Sequence, residues 1–257
     1  MIVNEPSQTE FQNLIKLHGQ KDFAAALREI EALLESFPDS ARLRNIQGIF
    51  RIDVKQFEAA VVSFKKAIEK NADYFQAFNN MGNALKEGGK LETAALNYIK
   101  ALTIKPDYFE AHANLAHTRQ LQGKLEEAIE AYNKALSIKP DYVEAYNNMG
   151  AIFQTQGKLE ESIEAHKKAI LIKPDYAQAY FNLGNTYQDQ GKLKEAIKAS
   201  IKALSIKPDY ADAHRNLSSI KKYNSDHDSV INMSQNYLLI ERGCFYFAWS
   251  EISIDEW

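Results

Sequence analysis

The stretch IKPDYVEAYNNMGAIFQTQGKLEESIEAHKKAILIKPDY, residues 138–176, begins and ends on the same five residues. IKPDY stands at 104–108, 138–142, 172–176 and 206–210, a period of 34 residues. Between successive copies run two apolar patterns at spacings of three and four, which predict two amphipathic helices per unit. Numbering each unit so that this proline is position 32 gives units at 7, 41, 75, 109, 143 and 177, with a seventh opening at 211. Such a period predicts an all-α solenoid of stacked antiparallel helix pairs, each unit burying its apolar face on its neighbours.

Each recurring position has a physical reason. Gly89, Gly123, Gly157 and Gly191 fall between the two helices, where a left-handed residue ends the first one without steric cost. Small residues at position 8 (Gly82, Ala116, Gly150, Gly184) and position 27 (Ala67, Ala101, Ala135, Ala169, Ala203) predict close approach of the paired helices. Pro106, Pro140, Pro174 and Pro208 stop the second helix. Asp107 with Glu110, Asp141 with Glu144 and Asp175 with Gln178 have capping-box spacing. Lys105, Lys139, Lys173 and Lys207 sit where a cation suits a helix C-terminus.

The unit at 177 carries Tyr180, Leu183, Gly184, Tyr187, Ala196, Ala203 and Pro208, and the unit at 143 carries Tyr146, Met149, Gly150, Phe153, Ala169 and Pro174. This pattern resembles the tetratricopeptide repeat (TPR) family over residues 41–223. The resemblance implies a right-handed superhelix whose concave groove is lined by the first helix of each repeat and holds peptide ligands.

Three segments are expected. Residues 1–40 form a degenerate N-terminal capping repeat, with Glu10 and Asn13 where an aromatic residue and a leucine belong. Residues 41–223 form the array, although Arg44, Gln47 and Ala72 depart from the pattern in its first unit. Residues 224–257 are read as a capping helix ending at Gly243 and an aromatic tail, in which Phe245, Tyr246, Phe247 and Trp249 need a surface to bury them, which reads as a plug folded back on the last helix pair or as the remnant of a further domain.

The totals narrow the function. The 257 residues are 45% hydrophobic and 25% charged, as in ordinary folded proteins. Thirty-one basic against 34 acidic residues leave a net charge of −3, which disfavours nucleic acid and anionic membrane as partners. MIVNEPSQTEFQNL has neither a basic n-region nor an apolar h-region, so no secretory leader is expected. A single cysteine, Cys244, fits a reducing compartment, and cytoplasm is the expected location. No phosphate-cradling loop or nucleophile motif is present, and His18, His112, His117, His166, His214 and His227 lack metal-ligand spacing. No catalytic residue, metal or cofactor is expected. His112 and His214 occupy the aromatic slot at position 4 and read as packing residues.

What recurs without an obvious packing reason is asparagine at position 6: Asn80, Asn114, Asn148, Asn182 and Asn216. Asparagine is a mediocre residue for a helix interior. A row of carboxamides, each with donors and acceptors, suits the backbone of an extended peptide. Hydrogen bonding between repeats and simple inheritance by duplication remain alternatives. Neighbouring groove positions have diverged: position 5 holds Asn79, Ala113, Asn147, Phe181 and Arg215, and position 9 holds Asn83, His117, Ala151, Asn185 and Ser219. The resemblance adds that similar ladders line the TPR groove of O-linked N-acetylglucosamine transferases, holding substrate polypeptides. The family's carboxylate clamp, which needs cations beside the asparagines, is not matched, because position 2 holds Gln76, Glu110, Glu144, Gln178 and Asp212. Neutral or mildly basic peptides suit this groove better.

The expected partner is therefore a protein or extended peptide. Two other readings stand beside it. HRNLSSIKKY at 214–223 resembles the junction before sulfotransferase-type domains, which implies a truncated recruiting module of a larger transferase. The aromatic tail suggests self-association into an assembly platform, as a homo-oligomer.

Overall fold

The computed structural model describes residues 5–223. The expected capping helix and aromatic tail, with Cys244, lie outside the described residues. Thirteen helices and no strand occur among the described residues, none long and apolar enough to cross a membrane. They fall into two compact units, divided at Pro140 and Asp141. The first holds α1 (Gln8–Gly19), α2 (Phe23–Ser36), α3 (Ala41–Asp53), α4 (Phe57–Lys70), α5 (Phe75–Glu87), α6 (Leu91–Ile104), α7 (Phe109–Leu121) and α8 (Leu125–Ile138). The second holds α9 (Val143–Thr155), α10 (Leu159–Ile172), α11 (Ala177–Asp189), α12 (Leu193–Ile206) and α13 (Ala211–Tyr223).

Helices pair as the 34-residue period predicts, α3 with α4, α5 with α6 and α7 with α8 in the first unit, α9 with α10 and α11 with α12 in the second. Within each unit the second helix of a pair also packs on the next first helix, α2 on α3, α4 on α5 and α6 on α7 in one, α10 on α11 and α12 on α13 in the other, and first helices touch one another, α3–α5–α7 and α9–α11–α13. This brings the asparagine-bearing helices side by side.

The pairing depends on complementary sizes at positions 8 and 24. Phe64 lies over Gly48, Tyr98 over Gly82 and His166 over Gly150, where an added Cβ would stand 2.5 to 2.6 Å from the ring. Gly184 faces the smaller Ser200 at 3.0 Å. Position 27 is alanine from Ala67 to Ala203, and all five are fully buried. Burying Phe64, Tyr98 and Tyr132 contributes about 1.5–3 kcal/mol each.

Between paired helices, Gly89, Gly123, Gly157 and Gly191 have φ of 73° to 77°, as expected. The equivalent residues of the first two repeats are Lys21 and Lys55, both at φ 59°. The expected aspartate capping boxes do not form. Helices α7, α9 and α11 start one residue later, with Tyr108, Tyr142 and Tyr176 as N-caps that make no side-chain capping bond. The tight Pro-Asp turn takes over: Tyr108 and Tyr176 donate their backbone N–H to the Lys105 and Lys173 carbonyls. Side-chain capping comes from Ser7 and Asp22, and from Ser40, which follows the same Pro-Asp turn but carries a hydroxyl where the later repeats carry tyrosine.

Ser7 explains part of the N-terminal decay. It forms a reciprocal capping box with Glu10, so the residue in the aromatic slot serves as a cap, its carboxyl held below the usual range by the Ser7 hydrogen bonds. Burial passes one position on, to Phe11 and Leu14, and Leu14 fits because Ile30 replaces a ring in its cluster. In the second repeat Gln47 and Ser63 are buried but bonded to each other at 3.0 Å, with Arg51 donating to Ser63 at 2.8 Å.

Candidate functional site

The position-6 asparagines are half-buried on the first helices, and the amides of Asn80, Asn114, Asn182 and Asn216 donate to another repeat. In the first unit, Asn80 Nδ2 donates to Asn45 Oδ1 at 3.1 Å and Asn114 Nδ2 to Asn79 Oδ1 at 2.9 Å. In the second, Asn182 Nδ2 donates to Asn147 Oδ1 at 3.0 Å. In these three bonds the acceptor is the position-5 asparagine of the preceding repeat. Within a helix, Asn79 and Asn147 lie 3.4 and 3.5 Å from the Oδ1 of Asn80 and Asn148. In the first unit the bonds between repeats therefore run from donor to acceptor toward the N-terminus.

This wiring separates two classes of asparagine. Asn79 and Asn147, at position 5, are 4% exposed and lie within the packing between repeats. Asn80, Asn114, Asn148 and Asn182 reach the surface. One Nδ2 hydrogen of Asn114 or Asn182 is taken by the neighbour, leaving a second hydrogen on each. Fixing an amide by one bond sets the direction in which its other groups point.

After α11 the bond is rerouted. Phe181 occupies it in α11, so Asn216 Nδ2 donates to Asn185 Oδ1, while Asn216 Oδ1 is buried without a hydrogen-bond partner. Phe181 packs against Tyr210 with ring centroids 5.1 Å apart. The Tyr210 hydroxyl donates to Gln178 Oε1 at 2.5 Å, and Gln178 Nε2 donates to Asn182 Oδ1 at 3.0 Å. In the second unit this makes one polar and aromatic cluster. Arg215 is exposed and pairs with Asp212 at 3.1 Å.

Position 9 differs between helices. Asn83 accepts from the buried Tyr98 hydroxyl at 2.8 Å, so it is partly committed to the helix pair. His117 is half-buried, and desolvation together with the Lys86 ammonium pushes its pKa below the usual histidine value. It is neutral at pH 7 and presents a ring with one donor and one acceptor. His112 and His214, expected as packing residues, also anchor the preceding turn: each donates from Nε2 to a proline carbonyl, Pro106 at 2.9 Å and Pro208 at 2.8 Å. The loop lysines lie over aromatic rings, Lys105 above Phe75 at 5.0 Å and Lys207 above Tyr210 at 5.0 Å. Their order comes from rings as well as helix ends, which sequence spacing alone did not reveal.

Family sequence patterns match much of this chain. The pattern described as TPR repeat matches residues 82–123, 119–157 and 152–191, and those described as tetratricopeptide repeat match 19–75, 63–95 and 177–210. The chain belongs to the tetratricopeptide repeat family. Among solved structures, MamA is 25% identical, with a TM-score of 0.58 over 64% of this chain and 96% of its own. YrrB, described as a TPR protein with an unusual peptide-binding site, is 20% identical, with a TM-score of 0.57 over 72% of this chain and 96% of its own. PilF of Pseudomonas aeruginosa shares the fold at 14% identity, with a TM-score of 0.70 over 82% of this chain and 96% of its own. No curated protein matches the chain in sequence.

Proposed function

We propose that this TPR protein is an interaction scaffold that holds an extended polypeptide against the first helices of its repeats, mainly by the ligand's backbone. The carrying observation is the row of half-exposed position-6 amides whose orientation is fixed by bonds to the preceding repeat. An amide already held in place loses little rotamer freedom when a ligand binds. Each retains hydrogen-bonding capacity of both kinds, which suits the alternating N–H and C=O groups of an extended chain. Side-chain preference then falls to the positions that differ: His117, Asn185, Phe181 and Arg215. YrrB, with its unusual peptide-binding site, supports peptide holding as a use of this fold. In this reading the protein is a binder and not a catalyst, and its lone Cys244 fits a cytoplasmic setting.

The test selects peptides from a random display library on the intact chain and titrates them against wild type and Asn114→Ala/Asn182→Ala, with circular dichroism confirming folded helices. Losing two amides is expected to weaken every selected peptide roughly tenfold or more, at about 1 kcal/mol per hydrogen bond. Unchanged affinity for all of them contradicts the proposal.

A further inference from the structure

Helix α12 departs from its siblings in charge. In α8 and α10 position 22 is a glutamate paired with the position-26 lysine one turn on, Glu130 with Lys134 at 3.0 Å and Glu164 with Lys168 at 3.0 Å. One turn earlier stand Glu126 and Glu160. In α12 both glutamate positions are lysines, so Lys194, Lys198 and Lys202 follow one another at one-turn intervals.

A cavity of about 590 Å³ opens beside this stripe, between α11 and α12. Tyr180, Leu183, Tyr187 and Ile201 give it an apolar floor, Lys198 and Lys202 stand on its wall, and Glu195 is its one acidic side chain. Apolar surface next to a run of lysines fits a segment that is both aromatic and acidic. The chain carries such a segment: CFYFAWSEISIDEW, residues 244–257, has Phe245, Tyr246, Phe247 and Trp249 followed by Glu251, Asp255 and Glu256, with no lysine or arginine.

We propose that residues 244–257 of the same chain dock on α11 and α12, aromatic side chains in the cavity and carboxylates over the lysine stripe. Charge selects this groove, because the glutamates at the matching positions of α8 and α10 would repel the same segment. Reach is ample: residues 224–243 cover roughly 3.3 Å each when extended, against an α12 about 21 Å long.

Trp249 and Trp257 are the two tryptophans of the chain, so intrinsic fluorescence reports on this segment alone. The experiment measures emission wavelength and acrylamide quenching for the full chain and for Lys194→Glu/Lys198→Glu, which copies residues that α8 and α10 already carry. Wild type is expected to emit at short wavelength and resist quenching, at all protein concentrations, and the variant to lose that protection while keeping its circular dichroism. Solvent-like emission from wild type, or equal protection in the variant, overturns the proposal. Protection that disappears on dilution as a dimer dissociates also overturns it, by assigning the segment to a second copy.

Discussion

Two residues show how single side chains set the stability of the array. His166 is fully buried under Gly150, both ring nitrogens lack hydrogen-bond partners, and burial pushes its pKa down to about 4. An unfolded histidine titrates near 6.5. Because the folded pKa is the lower one, the unfolded chain binds the extra proton as pH falls from about 6.5 to 4, and stability falls with it. Denaturant unfolding at pH 7.5 and pH 5 is expected to differ by about 2 kcal/mol from this residue alone. His166→Phe, which copies Phe64 over Gly48, should remove that pH dependence and raise stability by about 1–3 kcal/mol at neutral pH. Tyrosine is the poorer choice, since Tyr98 relies on Asn83 to accept its hydroxyl and Ala151 stands at that position here. Lys55 holds φ 59° where later repeats use glycine, so Lys55→Gly is expected to stabilise by up to about 1 kcal/mol in thermal unfolding.

At the scale of the helix pair, the contact between positions 8 and 24 decides how closely two helices approach. A methyl group added at Gly82 or Gly150 meets a buried ring at 2.6 or 2.5 Å, but at Gly184 meets the Ser200 hydroxyl at 3.0 Å. Gly82→Ala and Gly150→Ala should therefore cost about 1–3 kcal/mol, and Gly184→Ala distinctly less, as read from melting curves. Helix number, pairing and breakpoints were legible in the sequence because glycine, proline and alanine recur at positions that backbone geometry restricts. The helix starts were not: Asp107, Asp141 and Asp175 have capping-box spacing, but the following tyrosine is the N-cap and the turn bonds its own backbone. In α1, Glu10 broke the pattern because it caps, and burial moved to Phe11 and Leu14. The asparagine row was legible as a row. Its wiring was not, since the partners of Asn80, Asn114 and Asn182 sit 35 residues away and depend on side-chain direction.

Across each unit, the bonds that orient the position-6 amides also tie one repeat to the last, so the same residues serve cohesion and recognition. Substitution at Asn114 or Asn182 should weaken binding and lower the melting temperature together, whereas His117→Ala or Arg215→Ala should change which peptides bind and leave the melting temperature almost unmoved. The central claim is that the ligand is held by its backbone. It is tested most directly by comparing two scans of one selected peptide in calorimetric titration against the wild-type chain, alanine replacing each side chain in one and N-methylation blocking each backbone amide in the other. Several single N-methyl groups are expected to weaken binding roughly tenfold or more, while most alanine replacements change it little. Affinity that follows the side chains and ignores N-methylation would contradict the claim.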